Sequence, residues 1–201
     1  MTRKRLLLVQ TGTPPAAIRE EHGDLPHWFR TLLAPWQAQL TAVRVFEDEP
    51  LPAPDRQTVA VLTGSWAMVS DRLAWSERTA DWIRQAVAIG MLLSGLPATF
   101  PAHLSHLQTV TRLPEGATVL AASSHDPHQI VRYGPQAVST QFHPEFTAPI
   151  ARSLIRYREA VLQAEGIDPQ QLHDEVQESP QAAAILTRFV SDFLTPDAPG
   201  H

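Results

Sequence analysis

No cysteine occurs anywhere in the 201 residues. That excludes disulfides, thiolate metal sites and any thiol nucleophile carried by this chain. Long apolar runs are missing too. Leu6-Leu7-Leu8-Val9 is shorter than the core of a signal peptide and is ended by Gln10-Thr11-Gly12. No stretch approaches the roughly 20 apolar residues of a membrane helix. There is no stripe of basic residues interleaved with aromatics, and the net charge is −5 with a pI near 6.0. Nucleic acid and membrane are therefore not expected partners, and a cytoplasmic protein is expected.

What is present is enough apolar material for a core. Hydrophobic residues make up 43% of the chain, and the length suits one α/β domain. Residues 5–10 read as a buried strand, with Thr-Gly-Thr-Pro-Pro at its end. A helix is expected from Ala16, and Trp28, Phe29, Leu32 and Leu33 keep helical spacing up to Pro35. Residues 40–46 and 59–62 read as further strands, separated by an acidic, proline-rich loop. Ser76 is expected to cap a helix whose apolar face is Trp82, Ile83, Ala86 and Val87. This order of elements is the beginning of a parallel sheet with covered faces.

Beyond His103 the pattern turns β-rich. Residues 107–113, 118–122, 129–133 and 137–141 are expected to form a meander joined by turn sequences. Helices are expected over 149–163, 169–177 and 180–194; Pro169 and Pro180 each stand at a first helical position. The boundaries expected are an α/β unit over 1–146, C-terminal helices over 147–194 packed on it, and a frayed tail over 195–201.

The meander feeds the stretch that carries the chemistry, Gln141-Phe142-His143-Pro144-Glu145-Phe146. Pro144 can neither continue a ladder nor enter a helix interior, so His143 and Glu145 fall where a strand gives way to a loop. In an open α/β sheet such strand ends form the ligand crevice. A histidine held by a carboxylate is the base-and-orienter half of a nucleophilic triad; a strand-end pair with no chemistry is the plain alternative. Thr63-Gly64-Ser65 follows another buried strand, and its backbone N–H groups suit an oxyanion, although a structural turn has the same sequence. The His103/His106 and His125/His128 pairs, three apart in strands, point to opposite faces. No metal site and no cofactor are expected from them.

These pieces resemble the class I glutamine amidotransferases, specifically the stand-alone type similar to the glutaminase part of GMP synthase. The resemblance rests on Leu7-Leu8-Val9-Gln10-Thr11-Gly12, on residues 61–71 beginning Val61-Leu62-Thr63-Gly64-Ser65-Trp66, and on Gln141 to Phe146. Residues 96–103 and the Glu165-Gly166-Ile167-Asp168-Pro169 segment fit as well. It implies a flavodoxin-like, mixed and mostly parallel sheet with helices on both faces. It also implies that His143 is the base, Glu145 its orienter, and the backbone of Gly64 and Ser65 the oxyanion and substrate-binding turn. Glutamine or a small-molecule ligand comes with the resemblance; the sequence does not reveal a synthetase or acceptor-domain partner.

One piece does not fit. The family carries its cysteine on an elbow between a central strand and a helix, and here Gly90-Met91 runs straight into Leu92-Leu93-Ser94-Gly95. The strand, the elbow and the helix after it are missing. Ser65, Ser94 and Ser105 are nucleophile candidates by residue type only. The expected function is a glutamine amidotransferase-like protein without glutaminase activity. A non-catalytic binding or regulatory module on the same fold is the alternative, and a serine or metal hydrolase using His143 is a third. At the junction, either Met91 to Ser94 forms a short replacement strand or the neighbouring strands pair directly. Marginal stability is the outcome expected, because three or four residues cannot replace a full buried strand and the helix that covers it.

Overall fold

The computed structural model describes residues 4–86, 100–106, 108–134 and 137–194. The junction around Gly90–Met91, with Ser94, and the tail from residue 195 lie outside them.

The N-terminal half is built on strand β1 (Arg5–Gln10), which pairs in parallel with β2 (Leu40–Arg44) on one side and β3 (Thr58–Leu62) on the other. A central parallel strand is covered on both faces, which is why Leu6-Leu7-Leu8-Val9 is apolar without alternation. Leu6 and Leu8 point to one face with Val59 and Val61. There they meet Phe29 of helix α2 (Leu25–Leu32), the adjoining Leu33, and Val190 and Leu194 of α7 (Pro180–Leu194). Leu7 and Val9 point to the other face and pack with Val45, Trp75 and Trp82, the last two from α3 (Ala74–Ala86). The short helix α1 (Ala16–His22) precedes α2, and Asp24 opens α2 by accepting the Leu25 N–H.

The second half forms a separate antiparallel sheet, β4 (Thr118–Ala121), β5 (Ile130–Gly134) and β6 (Ala137–Thr140), in the order β4-β5-β6. The fold is thus the mixed α/β class expected, with a parallel sheet covered by helices. Among the described residues, however, the strands lie in two three-stranded sheets that do not pair with each other. Direct pairing of the strands flanking the junction is therefore absent from the described residues. Helix α7 spans both sheets: Val190 and Leu194 lie in the core of the first, Ala182 and Ile185 against Ile130 and Phe142 of the second. A fourth cluster joins α1 and α2 to α4 (Ala148–Tyr157) through Ile18, Trp28, Phe146, Ile150 and Leu154.

Several sequence expectations need correction. The strand expected over 107–113 is not formed by the described residues 108–113; Thr109 spends its hydroxyl on the buried Asp126 carboxylate instead of standing in a ladder. The second strand stops at Arg44, because Val45–Glu47 tightens into a 3-10 turn ended by the left-handed Asp48. Ser76 lies inside α3, its hydroxyl bonding back to the Leu73 carbonyl, and the helix starts at Ala74. The helix expected over 149–163 divides at Arg158 into α4 and α5 (Glu159–Ala164). The Arg158 N–H is shared between the Leu154 and Ile155 carbonyls, which ends one helix and begins the next. Helix α6 (Pro169–Asp174) is shorter than expected, but Asp168 caps it as its sequence suggests, accepting from the Gln170 and Gln171 N–H groups.

Candidate functional site

The carboxyl ends of β1 and β3 are laced together by a threonine pair. The Thr11 N–H donates to Thr63 Oγ1 at 3.1 Å, and Thr11 Oγ1 lies 2.8 Å from the Gly64 carbonyl oxygen. Ser65 Oγ donates to the Thr11 carbonyl at 2.9 Å and accepts the Ala67 N–H at 3.1 Å. The turn Thr63-Gly64-Ser65 is thereby fixed at the end of the strand. It also commits the Ser65 hydroxyl hydrogen to a backbone oxygen, which is a poor state for a nucleophile.

His143 arrives at this turn from the other sheet. A β-carbon built on Gly64 would stand 3.1 Å from His143 Cε1, closer than nearly all real contacts of that kind. Only glycine lets the turn approach the imidazole this closely. Nδ1, bonded to that Cε1, lies 2.9 Å from Glu145 Oε1. The Glu145 side chain is only 3% exposed and that of His143 19%. Phe146 stacks on the imidazole, with centroids 4.0 Å apart and planes 9° from parallel, and Phe146 in turn meets Trp28 of α2 edge-on.

The segment 103–105 runs beside 142–143 and holds it in place. Leu104 and Phe142 form an isolated antiparallel bridge, and the His143 N–H donates to the His103 carbonyl at 2.9 Å. Burial opposes a charge on the His143 ring. The Glu145 carboxylate outweighs it by its charge and its hydrogen bond, helped by a backbone hydrogen bond to Ser105, and the ring holds its proton above the ordinary histidine range. His103 runs the other way. Burial lowers it, His143 and Arg152 lower it further, and Glu178 and the Gln177 backbone only partly oppose them. His103 Nε2 is buried without a hydrogen-bond partner among the described residues.

The structure therefore brings His143, Glu145 and Gly64 together, with Ser65 in the same turn. Ser105 contributes its backbone to the ring of His143, and Ser94 lies outside the described residues. The sequence reading missed the anchoring by His103 and the stack of Phe146 on His143. Phe146 stood inside the motif, but only the three-dimensional course of the chain places His103 beside it. Among the described residues no group of three or more metal-binding side chains comes together. The Thr63-Gly64-Ser65 turn and His143 line a cavity of about 1150 Å³ that runs between the two sheets.

A second histidine–carboxylate cluster joins α1 to α4. His22 Nε2 lies 2.7 Å from Ser153 Oγ, and Ser153 Oγ donates to Glu21 Oε2 at 3.0 Å. Arg156 donates to the same hydroxyl at 2.7 Å. Glu21 Oε1 is 3.5 Å from His22 Nε2, the nitrogen that already meets the serine.

Residues 76–160 match the family model described as Glutamine amidotransferase class-I. The glutamine-hydrolyzing GMP synthase of Thermosipho africanus (strain TCF52B) is 39% identical over 57 residues, which are 28% of this chain and 11% of that protein. The match thus spans about a tenth of that relative's length. In fold, the chain is similar to a glutamine amidotransferase from Thermotoga maritima, with a TM-score of 0.67 at 17% identity, covering 97% of this chain and 100% of that one. It is also similar to a glutamine amido transferase from Methylobacillus flagellatus, with a TM-score of 0.57 at 20% identity over 100% and 98% of the two chains. At these identities the structural likeness is one of fold.

Proposed function

We propose that this glutamine amidotransferase-like chain keeps the base and orienter of a class I site but does not hydrolyse glutamine on its own. His143 stands as the base, Glu145 as its orienter, and the backbone of Gly64 and Ser65 as the anion-facing turn. The observation that carries the reading is the conjunction of a closed His143–Glu145–Gly64 arrangement with a sequence that holds no cysteine. Without a thiolate, no group in the site attacks a side-chain amide, and orientation and electrostatics alone supply only a small part of a triad's rate. The Ser65 hydroxyl does not fill the gap, since it already gives its hydrogen to the Thr11 carbonyl.

The test is release of glutamate and ammonia from glutamine by the purified chain, with and without an ammonia acceptor. No release above the protein-free control is expected. Glutamate release that disappears in His143→Ala would overturn the reading. A binding or regulatory module is the second reading, and the cavity that His143 lines favours it. Calorimetric binding of glutamine without turnover, abolished by Gly64→Val, supports that second reading.

A further inference from the structure

A short strap of chain holds His143 in place. Residues 100–106 belong to no helix and no ladder, and scattered contacts tie them to the site. Leu104, itself exposed, forms an isolated bridge to Phe142, and the His143 N–H donates to the His103 carbonyl at 2.9 Å. Phe100 meets Phe142 edge-on with centroids 5.8 Å apart. The His143 ring donates to the Ser105 backbone carbonyl. A segment held this thinly opens at lower cost than a sheet core. Ser105 and His143 both line the cavity, so opening the strap changes what the ring offers there.

The His103 ring is the buried part of the strap. Its Nε2 is buried with no hydrogen-bond partner among the described residues. The hydrogen bond to the Gln177 carbonyl therefore comes from the other ring nitrogen, Nδ1. That is a neutral imidazole with its hydrogen on Nδ1 and a bare Nε2. A second proton would sit on Nε2, where no acceptor stands, and a buried donor without an acceptor is costly.

The surrounding charges act in the same sense. His143, held by Glu145, and Arg152 of α4 both oppose a positive charge on the His103 ring. The Arg152 guanidinium is kept in place by donating to the Val176 carbonyl at 2.7 Å. Glu178, between α6 and α7, favours a charged ring, but its carboxylate accepts the Ala148 N–H at the start of α4. Burial and the two cations prevail, and the ring takes a proton only below the ordinary histidine range.

We propose that His103 is an acid-sensitive latch: its neutral ring keeps the strap closed against His143, and its protonation releases residues 103–105, withdrawing the Ser105 carbonyl from the His143 ring. In the released strap the His103 ring is solvated and takes its proton at the ordinary value, so falling pH favours release. The ring hydrogen that Ser105 gives up is then free to be donated inside the cavity. None of this depends on the chemistry assigned to His143.

Hydrogen exchange of the full chain, read by NMR from about pH 7.5 down to about pH 5, tests the latch. Protection factors are compared, which removes the pH dependence of exchange in the free chain. Protection of the His143 amide is expected to fall at least about fivefold on acidification. It is also expected to stay below that of the Leu8 amide, in the centre of β1, at every pH. In His103→Gln, which keeps a donor for Gln177 but takes no proton, the fall is expected to vanish. Ring nitrogen shifts of the wild-type chain test the latch without a variant, and the neutral His103 ring is expected to carry its hydrogen on Nδ1. A hydrogen on Nε2 would overturn the proposal. So would constant His143 protection in the wild-type chain, an equal fall in His103→Gln, or equal protection of the His143 and Leu8 amides.

Discussion

The His143–Glu145 pair and the His22–Glu21–Ser153 cluster are built from the same kinds of groups, and they differ in which atom meets which. At the strand ends, Glu145 is buried and takes Nδ1 of His143, and the Ser105 backbone adds a further hydrogen bond to the ring. Between α1 and α4, the Glu21 carboxylate is half-exposed and approaches the same nitrogen of His22 that touches Ser153. There the serine hydrogen goes to Glu21 while Arg156 donates to the serine oxygen. A nucleophile needs its hydrogen on the base and the base held from behind. The second cluster has serine, histidine and carboxylate in contact and satisfies neither condition. It is a polar clamp between helices. The inventory of residue types does not separate the two; burial of the carboxylate and the choice of ring nitrogen do.

Removing each carboxylate sharpens this contrast most. Glu145→Ala leaves a buried imidazole without its counter-charge and is expected to destabilise the fold by about 3 kcal/mol. Glu21→Ala removes a solvated partner and is expected to cost about 0.5 kcal/mol. Denaturant midpoints at neutral pH measure both, and equal losses would erase the distinction.

Next in size is Gly64→Val. A side chain at Gly64 must push the His143 ring off its seat, since the β-carbon alone reaches 3.1 Å. A loss of about 2 kcal/mol is expected, with the His143 ring resonances displaced and those of His22 unmoved. If the ring signals stay in place, the close approach is not what holds the dyad.

The smallest effect is in pH. His143 holds its proton above the ordinary range, so its contribution to stability is complete below about pH 6.5 and fades as the pH rises through its higher folded value. His103, lowered by burial, contributes above about pH 6.5 and loses that contribution as the pH falls toward its lower folded value. A ring titration by NMR is expected to find His143 above and His103 below the free-histidine midpoint. Stability measured against pH in His143→Asn is expected to lose its decline on the alkaline side.

Much of this arrangement was legible in the chain because it is local. The apolar run of β1, the Thr-Gly-Ser break after β3 and the His-Pro-Glu break after β6 are each short-range signals, and α7 begins at the proline that marks it. Other features were hidden because the decisive partner is remote. Residues 108–113 alternate like a strand, yet Thr109 is claimed by Asp126. The amphipathic pattern runs through Arg158 although the backbone breaks there. His103 shows no pattern of its own, and its place under His143 depends on Phe142 meeting Leu104. The orientation of the Glu21 carboxylate is equally invisible from its neighbours in sequence.

The stack of Phe146 on His143 carries a spectroscopic consequence. With the rings 4.0 Å apart and nearly parallel, the imidazole protons lie in the shielding cone of the phenyl ring. Their resonances are shifted upfield of those of a solvated histidine, whatever the charge state of the ring. His143 thus comes with a fixed magnetic label, and Trp28, edge-on to the same phenyl ring, sits one ring away. A movement of α2 that rotates Phe146 changes that shielding before it breaks any hydrogen bond of the dyad, so the chemical shift of His143 registers the packing of the N-terminal helices.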